Sequence, residues 1–304
     1  MTIPPVVVVL GDALLDVTAQ PATPIRPGAD VPARVRIGYG GQGANLAVRL
    51  ARQAVGVELV CALGDDPGGT LLRHALIGEG VRLSAVRADA TGTVVILLDQ
   101  NGERTMLSER VAFAHGAGAA VRDDATWLVV SGYLLLEPRA GDLASTLRAM
   151  PTSVALVGCT VPGEMADRWM QAVVEMRPDL VVLNRAEAIA LLQGAPDTDD
   201  LPARLGDRLG SGVVVTDPSG AAARLNGLDA KVTAPGRPAA VDTTGAGDAF
   251  AAALIASLLR SPWPPTADAL EAALAAAVEL ASAVAHAVGA QARVAGEPSA
   301  GIGQ

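Results

Sequence analysis

The feature that most constrains this 304-residue chain is an alternation. Short β-branched runs, VVVVLGD (6–12), VELVCALGDD (57–66), SVALVGC (153–159), DLVVLN (179–184) and GVVVTD (212–217), end in glycine or polar residues. Stretches with helical periodicity separate them, among them GANLAVRLARQAVG, GGTLLRHALIGEGV and GEMADRWMQAVVEM. Strands so short and uniformly apolar suit burial on both faces, and strand–helix–strand spacing implies right-handed crossovers. The expectation is an α/β, doubly wound, mostly parallel sheet in one domain over 1–304. TWLVVSGYLLL (126–136) reads as a further strand, and GLDAKVTAP (227–235) as extended chain.

One segment breaks the alternation. TVVILLDQNGERTML (93–107) places two extended runs around Asn101-Gly102, a pair suited to a tight hairpin turn. The proline-rich stretch after GDALLDV forbids helix and reads as irregular chain followed by an edge strand. Residues 13–39 and 91–110 are therefore expected to form a small β-sheet lid.

Composition narrows the partners. The formal charge is −9, Lys231 is the sole lysine and no basic block stands out, which argues against nucleic acid. Cys61 and Cys159 sit in apolar surroundings and read as reduced core thiols, pointing to the cytoplasm. The N-terminal apolar run is too short for a signal peptide or a span, and Glu271, Glu279 and His286 interrupt the longest one, so no membrane is expected.

DTTGAGDAF (242–250) precedes an alanine-rich helix. Gly245, Ala246 and Gly247 at a helix start form a nest of amides for an anion, aided by the helix dipole. Asp248 in the first turn suits acceptance of a proton from a hydroxyl during phosphoryl transfer; a plain dipole-favoured carboxylate is the alternative. GYGGQGANLA (38–47) satisfies G-x-G-x-x-G through Gly38, Gly40 and Gly43, with Glu58 about 20 residues on, which carries a rival dinucleotide-oxidoreductase reading. The other reading lets Gly40 and Gly41 bring backbone to a hydroxylated ligand gripped by Asn45. Asp12 and Asp16 are placed at the end of the first strand, where α/β sheets bind ligands. Asn184 and Glu187 share a helix face and fit either phosphate and metal-bound water or a helix cap.

With these residues in view, the chain resembles the ribokinase-like (PfkB) carbohydrate kinases over nearly its full length. GGQGANLAVRLA with ALGDDPGG resembles the family's first signature, and DTTGAGDAF its second. The resemblance implies an αβα core with a β lid, ATP and Mg²⁺, and phosphorylation of a hydroxymethyl group on a sugar or sugar-like substrate. It makes Asp248 the base, Gly245, Ala246 and Gly247 the anion hole, and Asp16, Gly40, Gly41 and Asn45 the sugar contacts, with Asp12 beside them. Asn184 and Glu187 match the motif supporting phosphates and Mg²⁺, and Thr216 with Gly220 the nucleotide loop. Asp242 and Thr244 match part of a monovalent cation (K⁺) site, and lids of this kind pair in homodimers.

Departures are also legible. TDPSGA carries Pro218 in the nucleotide loop, VGCT replaces an acidic strand end, and Leu14 stands where ribokinases proper place asparagine. Tyr133 or Glu137 is expected to add a substrate contact. Arg104 and Arg110 read as solvated hairpin charges, or else as binders of a phosphosugar. A nucleoside kinase and a sugar-binding protein without catalysis are the further alternatives.

Overall fold

The computed structural model describes residues 7–99, 104–113, 118, 121–122, 124–193, 200–236, 242–287 and 291–294. Its main sheet has the strand order β13-β12-β11-β10-β9-β8-β1-β4-β5. In chain order these are β1 (Val7–Leu10), β4 (Val57–Gly64), β5 (Arg82–Ala88), β8 (Trp127–Ser131), β9 (Ser153–Val157), β10 (Leu180–Asn184), β11 (Gly212–Asp217), β12 (Gly220–Leu225) and β13 (Leu228–Thr233). From β5 to β11 every pairing is parallel; β11–β12 and β12–β13 are antiparallel.

The two-residue period of each strand feeds two cores. Val7, Val9, Leu59, Cys61, Val129, Val182 and Val214 face one side. Their neighbours Val8, Leu10, Val60, Val130, Val181 and Val215 face the other. The first core is covered by helices Gln42–Arg52, Pro67–Gly78, Ala246–Leu258 and Ala267–Ala285. Helices Ala140–Arg148, Ala166–Met176, Arg185–Leu191 and Leu201–Leu209 cover the second. Both cysteines are buried free thiols.

β1 lies between β4 and β8, so the chain builds outward first to one side and then to the other. That reversal leaves a crevice above the carboxyl ends of β1 and β8, the place where open α/β sheets bind ligands.

A second sheet, of order β3-β2-β6-β7, comes from two insertions: β2 (Leu14–Pro21) and β3 (Ala33–Gly40) between β1 and β4, and β6 (Thr93–Leu98) and β7 (Arg104–Glu109) between β5 and β8. The expected hairpin strands pair as β6 and β7, while the Asn101-Gly102 turn itself lies outside the described residues.

Several expectations need correction. The stretch after GDALLDV is not irregular at its start but forms β2, which pairs with both β3 and β6 and so gains two ladders that local proline content does not reveal. Asp16 therefore belongs to the lid, not to the end of the first strand. The run TWLVVSGYLLL stops being a strand at Ser131 and turns into a 3₁₀ segment, Gly132–Leu136, whose first carbonyl accepts from Trp169 Nε1 at 2.9 Å. β5 and β12 were not legible locally. β12 is mostly small alanines, and partners on both sides make it a strand.

Among the described residues no helix is long and apolar enough to cross a membrane.

Candidate active site

The crevice is built first by close backbone contact. After β1 the chain passes Gly11 within touching distance of Gly43, where a Cβ would lie 2.6 Å from the Gly11 carbonyl carbon. This contact lets the helix Gln42–Arg52 start directly against the strand end. Gly41, at φ 91°, precedes it, and Ala44 donates its N–H to the Asp12 carbonyl at 3.0 Å. Asp12 Oδ1 also accepts from Gly43 N at 3.3 Å.

That helix projects Asn45 towards the start of the Ala246–Leu258 helix. Asn45 Nδ2 donates to Asp248 Oδ2 at 2.7 Å, joining residues 203 positions apart. Burial pushes the Asp248 carboxyl up to about 6, against the opposing pull of the Asn45 hydrogen bond and the nearby Arg49 charge. Asp16, on the cleft side of the lid, is likewise pushed up to about 6 by burial. Its carboxylate occupies the space that a side chain at Gly40 would need, so the glycine makes room for the acid.

Gly245 opens the helix in the left-handed region at φ 75°, and Asp248 stands in the first turn. Gly247 and Asp248 contribute amides that the helix itself cannot satisfy. Ala246 differs from expectation, since its N–H donates to the Thr243 carbonyl at 3.2 Å and is engaged in the turn.

A cavity of about 130 Å³ lies between these elements, lined by Gln42, Gly158, Asn184, Glu187, Gly247 and Asp248 among others. Asn184 and Glu187 form a reciprocal capping box: Asn184 Oδ1 accepts from Glu187 N at 2.9 Å, and Asn184 N donates to Glu187 Oε2 at 3.0 Å. The cap and the cavity wall are thus the same residues. Burial raises the Glu187 carboxyl above its usual range, opposed by the two Asn184 hydrogen bonds.

Thr216 and Gly220 flank the β11–β12 turn. Thr216 Oγ1 donates to the Leu183 carbonyl at 3.5 Å. Gly220 lines a second cavity, of about 380 Å³, with Arg185, Asp217 and Ser219. Asp242 Oδ1 accepts from Thr244 N at 2.9 Å and Thr244 Oγ1 at 2.6 Å.

The lid arginines are not solvated hairpin charges. Arg104 pairs with Asp242 at 3.0 Å, and Arg110 pairs with Asp12. The Arg110 guanidinium also stacks 3.7 Å over the Tyr133 ring. Of the two residues expected to add a contact, Tyr133 joins the cleft, whereas Glu137 Oε2 accepts from Phe113 N at 3.0 Å and anchors the chain leaving the lid.

The dinucleotide reading fails on placement. Gly38 and Gly40 lie in lid strand β3 rather than in a turn after the first strand, and a side chain at Gly38 would meet nothing within 4 Å. Glu58 is the second residue of β4, at the amino end of the strand and away from the crevice at the carboxyl ends, and accepts from Ser84 Oγ.

Sequence reasoning missed Gln42 and Gln291. Gln42 Nε2 donates to the Gly158 carbonyl at 2.7 Å and its Oε1 accepts from Ser131 Oγ at 2.6 Å, tying the ends of β8 and β9 to the glycine cluster. A polar residue inside GGQGAN was the available signal for Gln42. Gln291, which donates to Asn45 Oδ1, had none.

The chain matches the pfkB family carbohydrate kinase model over residues 5–295. It is 32% identical over 289 residues to a fructokinase from Klebsiella pneumoniae, covering 88% of this chain and 89% of that one. Ribokinase from Thermotoga maritima superposes with a TM-score of 0.75 at 19% identity, covering 94% of both chains. Phosphofructokinase-2 from Escherichia coli, in complex with potassium, superposes with a TM-score of 0.77 at 18% identity, covering 95% of this chain and 94% of that one. These last two share the fold. Reversed-order sheet, lid, glycine cluster and amide-opened helix together with the family match lead to one conclusion: this chain belongs to the pfkB family of carbohydrate kinases, phosphotransferases with an alcohol group as acceptor.

Proposed function

We propose that Asp248 is the general base of an ATP-dependent kinase that phosphorylates a hydroxymethyl group of a neutral sugar. The observation that carries this is the placement of a partly desolvated carboxyl at a helix N-terminus, bonded to Asn45 and bordering the cavity with Glu187. A carboxyl lifted to about 6 by burial is ionised at neutral pH yet basic enough to draw a proton from a hydroxyl as it attacks. Gly245, Gly247 and Asp248 line the cavity at the helix start, and their amides steady the transferring phosphoryl, an effect of about a few kcal/mol. Asp16, Gly40, Gly41 and Asn45 hold the acceptor, with Asp12 orienting Arg110.

The donor side fits ATP with Mg²⁺. Glu187 offers a buried carboxylate at the cavity wall beside Asn184, and among the described residues no cluster of three or more His, Cys, Asp or Glu forms a protein cage. Hard oxygen ligands from phosphates and water, with Glu187 at the edge, suit Mg²⁺. When bound, Mg²⁺ supplies charge neutralisation on the phosphates. Thr216 and Gly220 frame the nucleotide side. At Asp242 the fit to a monovalent cation is poorer, because the Thr244 hydroxyl, the Thr244 amide and Arg104 all occupy the same carboxylate oxygen.

The acceptor we infer is unphosphorylated. Arg104 and Arg110 are each paired with a carboxylate of the main body, so a phosphate on the acceptor would face Asp16 and Asp248 without a fresh countercharge. The chain works as one unit, with 14–40 and 93–109 as its lid, in the cytoplasm. Across the lid's outer face Ile37, Val17, Val95 and Leu107 stand in register. Ile37 and Leu107 remain 62% and 58% exposed, an apolar row suited to the lid of a second copy.

ADP release measured with fructose, ribose, their phosphates and adenosine tests the reading. Turnover on a neutral sugar that is lost in Asp248→Asn is the expected result; preference for a phosphosugar overturns the acceptor assignment, and preference for adenosine moves the enzyme to the nucleoside kinases.

A further inference from the structure

We propose that Gln291 is a positioning residue, and that Gln291 and Asn45 form a two-orientation amide relay that follows the protonation state of Asp248. The proposal rests on Asp248 being the base.

An ionised carboxylate only accepts hydrogen bonds, so Asn45 must present Nδ2 to Asp248, which it does at 2.7 Å. The opposite end of that planar amide, Oδ1, then needs a donor. Gln291 Nε2 supplies it. Rotating Asn45 alone would set oxygen against the carboxylate and nitrogen against nitrogen, so the Gln291 amide determines which way Asn45 faces.

Gln291 is itself held firmly. Its carbonyl accepts from Arg52 at 3.1 Å, and the next carbonyl, of Ala292, accepts from Arg49 at 3.0 Å. Arg293 pairs with Glu79 at 3.1 Å, and Glu79 also pairs with Arg52 at 2.8 Å. Asn45, Arg49 and Arg52 follow i, i+4, i+7 spacing, so a single helix face carries both the relay and the strap that anchors it.

The second orientation comes from an orphan. Gln291 Oε1 is buried without a hydrogen-bond partner among the described residues. Turning both amides over would pair it with Asn45 Nδ2 and leave Gln291 Nε2 in the unpaired place, so each arrangement carries one unpaired group and the protonation state of Asp248 selects between them. That turn takes the donor away from Asp248 and offers it Asn45 Oδ1 instead, an arrangement that fits only the protonated carboxyl. The relay thus has one arrangement for the base before it takes the acceptor's proton and another for the acid afterwards. Other groups facing Asp248 are Arg49 from the Asn45 helix, Glu187 from the helix after β10, Tyr133 after β8, and the Gln42 amide. None of them exchanges donor and acceptor in this way.

The test is a titration of the Asp248 carboxyl by ¹³C NMR in the full chain, its resonance assigned by its loss in Asp248→Asn, alongside the pH profile of kcat/KM. Q291E is close to isosteric but presents acceptors only, so it draws Asn45 Nδ2 towards itself and raises the Asp248 midpoint by about one pH unit. Q291L removes both functions and raises it less. The acid limb of kcat/KM moves with the NMR midpoint, while KM for ATP stays as in wild type. A midpoint unmoved in both variants overturns the relay whatever happens to activity. A shifted midpoint with full turnover in Asp248→Asn instead removes the base and leaves the relay standing. If Q291E fails to fold, the wild type decides: Asn45 and Gln291 side-chain amide signals must shift with the Asp248 midpoint, and amides that ignore that titration overturn the proposal.

Discussion

Asp248 and Asp217 both border turns near the carboxyl edge of the large sheet, yet their environments pull them in opposite directions. Burial carries Asp248 up to about 6, with one side-chain amide from Asn45 as its main hydrogen-bonding restraint. Burial also pulls Asp217 upward, but the Ser219 hydroxyl and amide and the Arg185 guanidinium outweigh it and hold that carboxyl below its usual range. Asp217 shapes a turn and stays ionised. Asp248 is left with a basicity suited to proton transfer, and the contrast shows that desolvation becomes useful only where compensating donors are few.

The most severe way to break this contrast is Asp248→Asn, which should lower kcat by about 10²–10⁴-fold in an ADP-release assay. It should also raise the melting temperature at pH 7.5. Because the folded carboxyl sits above its unfolded value of 3.8, stability is lost as pH rises through about 6, and the amide avoids that loss. The advantage of the variant must shrink as pH falls from 6 towards 4. An equal gain at pH 4 and pH 7.5 by calorimetry would show that burial is not the cause.

Arg110→Ala removes the countercharge of Asp12 and the stack on Tyr133, so KM for the sugar should rise roughly tenfold or more with KM for ATP little changed. A smaller rise, about several-fold, is expected from Gly40→Ala, whose Cβ would collide with the Asp16 carboxylate and move it from the acceptor. Initial-rate kinetics with both substrates separate these from global damage. Asn184→Ala breaks the capping box and should cost about 1 kcal/mol in urea unfolding while raising KM for ATP. Smallest in its effect on catalysis is Ile37→Lys on the outer lid face: light scattering should show dimer lost to monomer with kcat retained.

Much of the fold was legible because its cause is local. Each buried parallel strand needs an apolar run, each crossover needs a helical period, and glycine is hard to explain inside a helix unless something approaches closely. β2, β5 and β12 escaped notice because proline neighbours, charges or plain alanines hide strands that exist only through their partners. The two signature clusters revealed Asp248, Asn45 and Asp16 as candidates. Residue type alone did not say that Arg104 and Arg110 reach back to Asp242 and Asp12, nor that the Asn184–Glu187 cap doubles as a cavity wall.

By itself the sequence determined the α/β class, the inserted lid and the carboxyl proposed as the base, since periodicity and glycine placement act within a few residues. Tertiary structure alone decided the state of that carboxyl. Desolvation and hydrogen-bond direction depend on which distant groups close around it, among them Asn45, brought across 203 positions and bonded in turn by Gln291 from the far end of the chain.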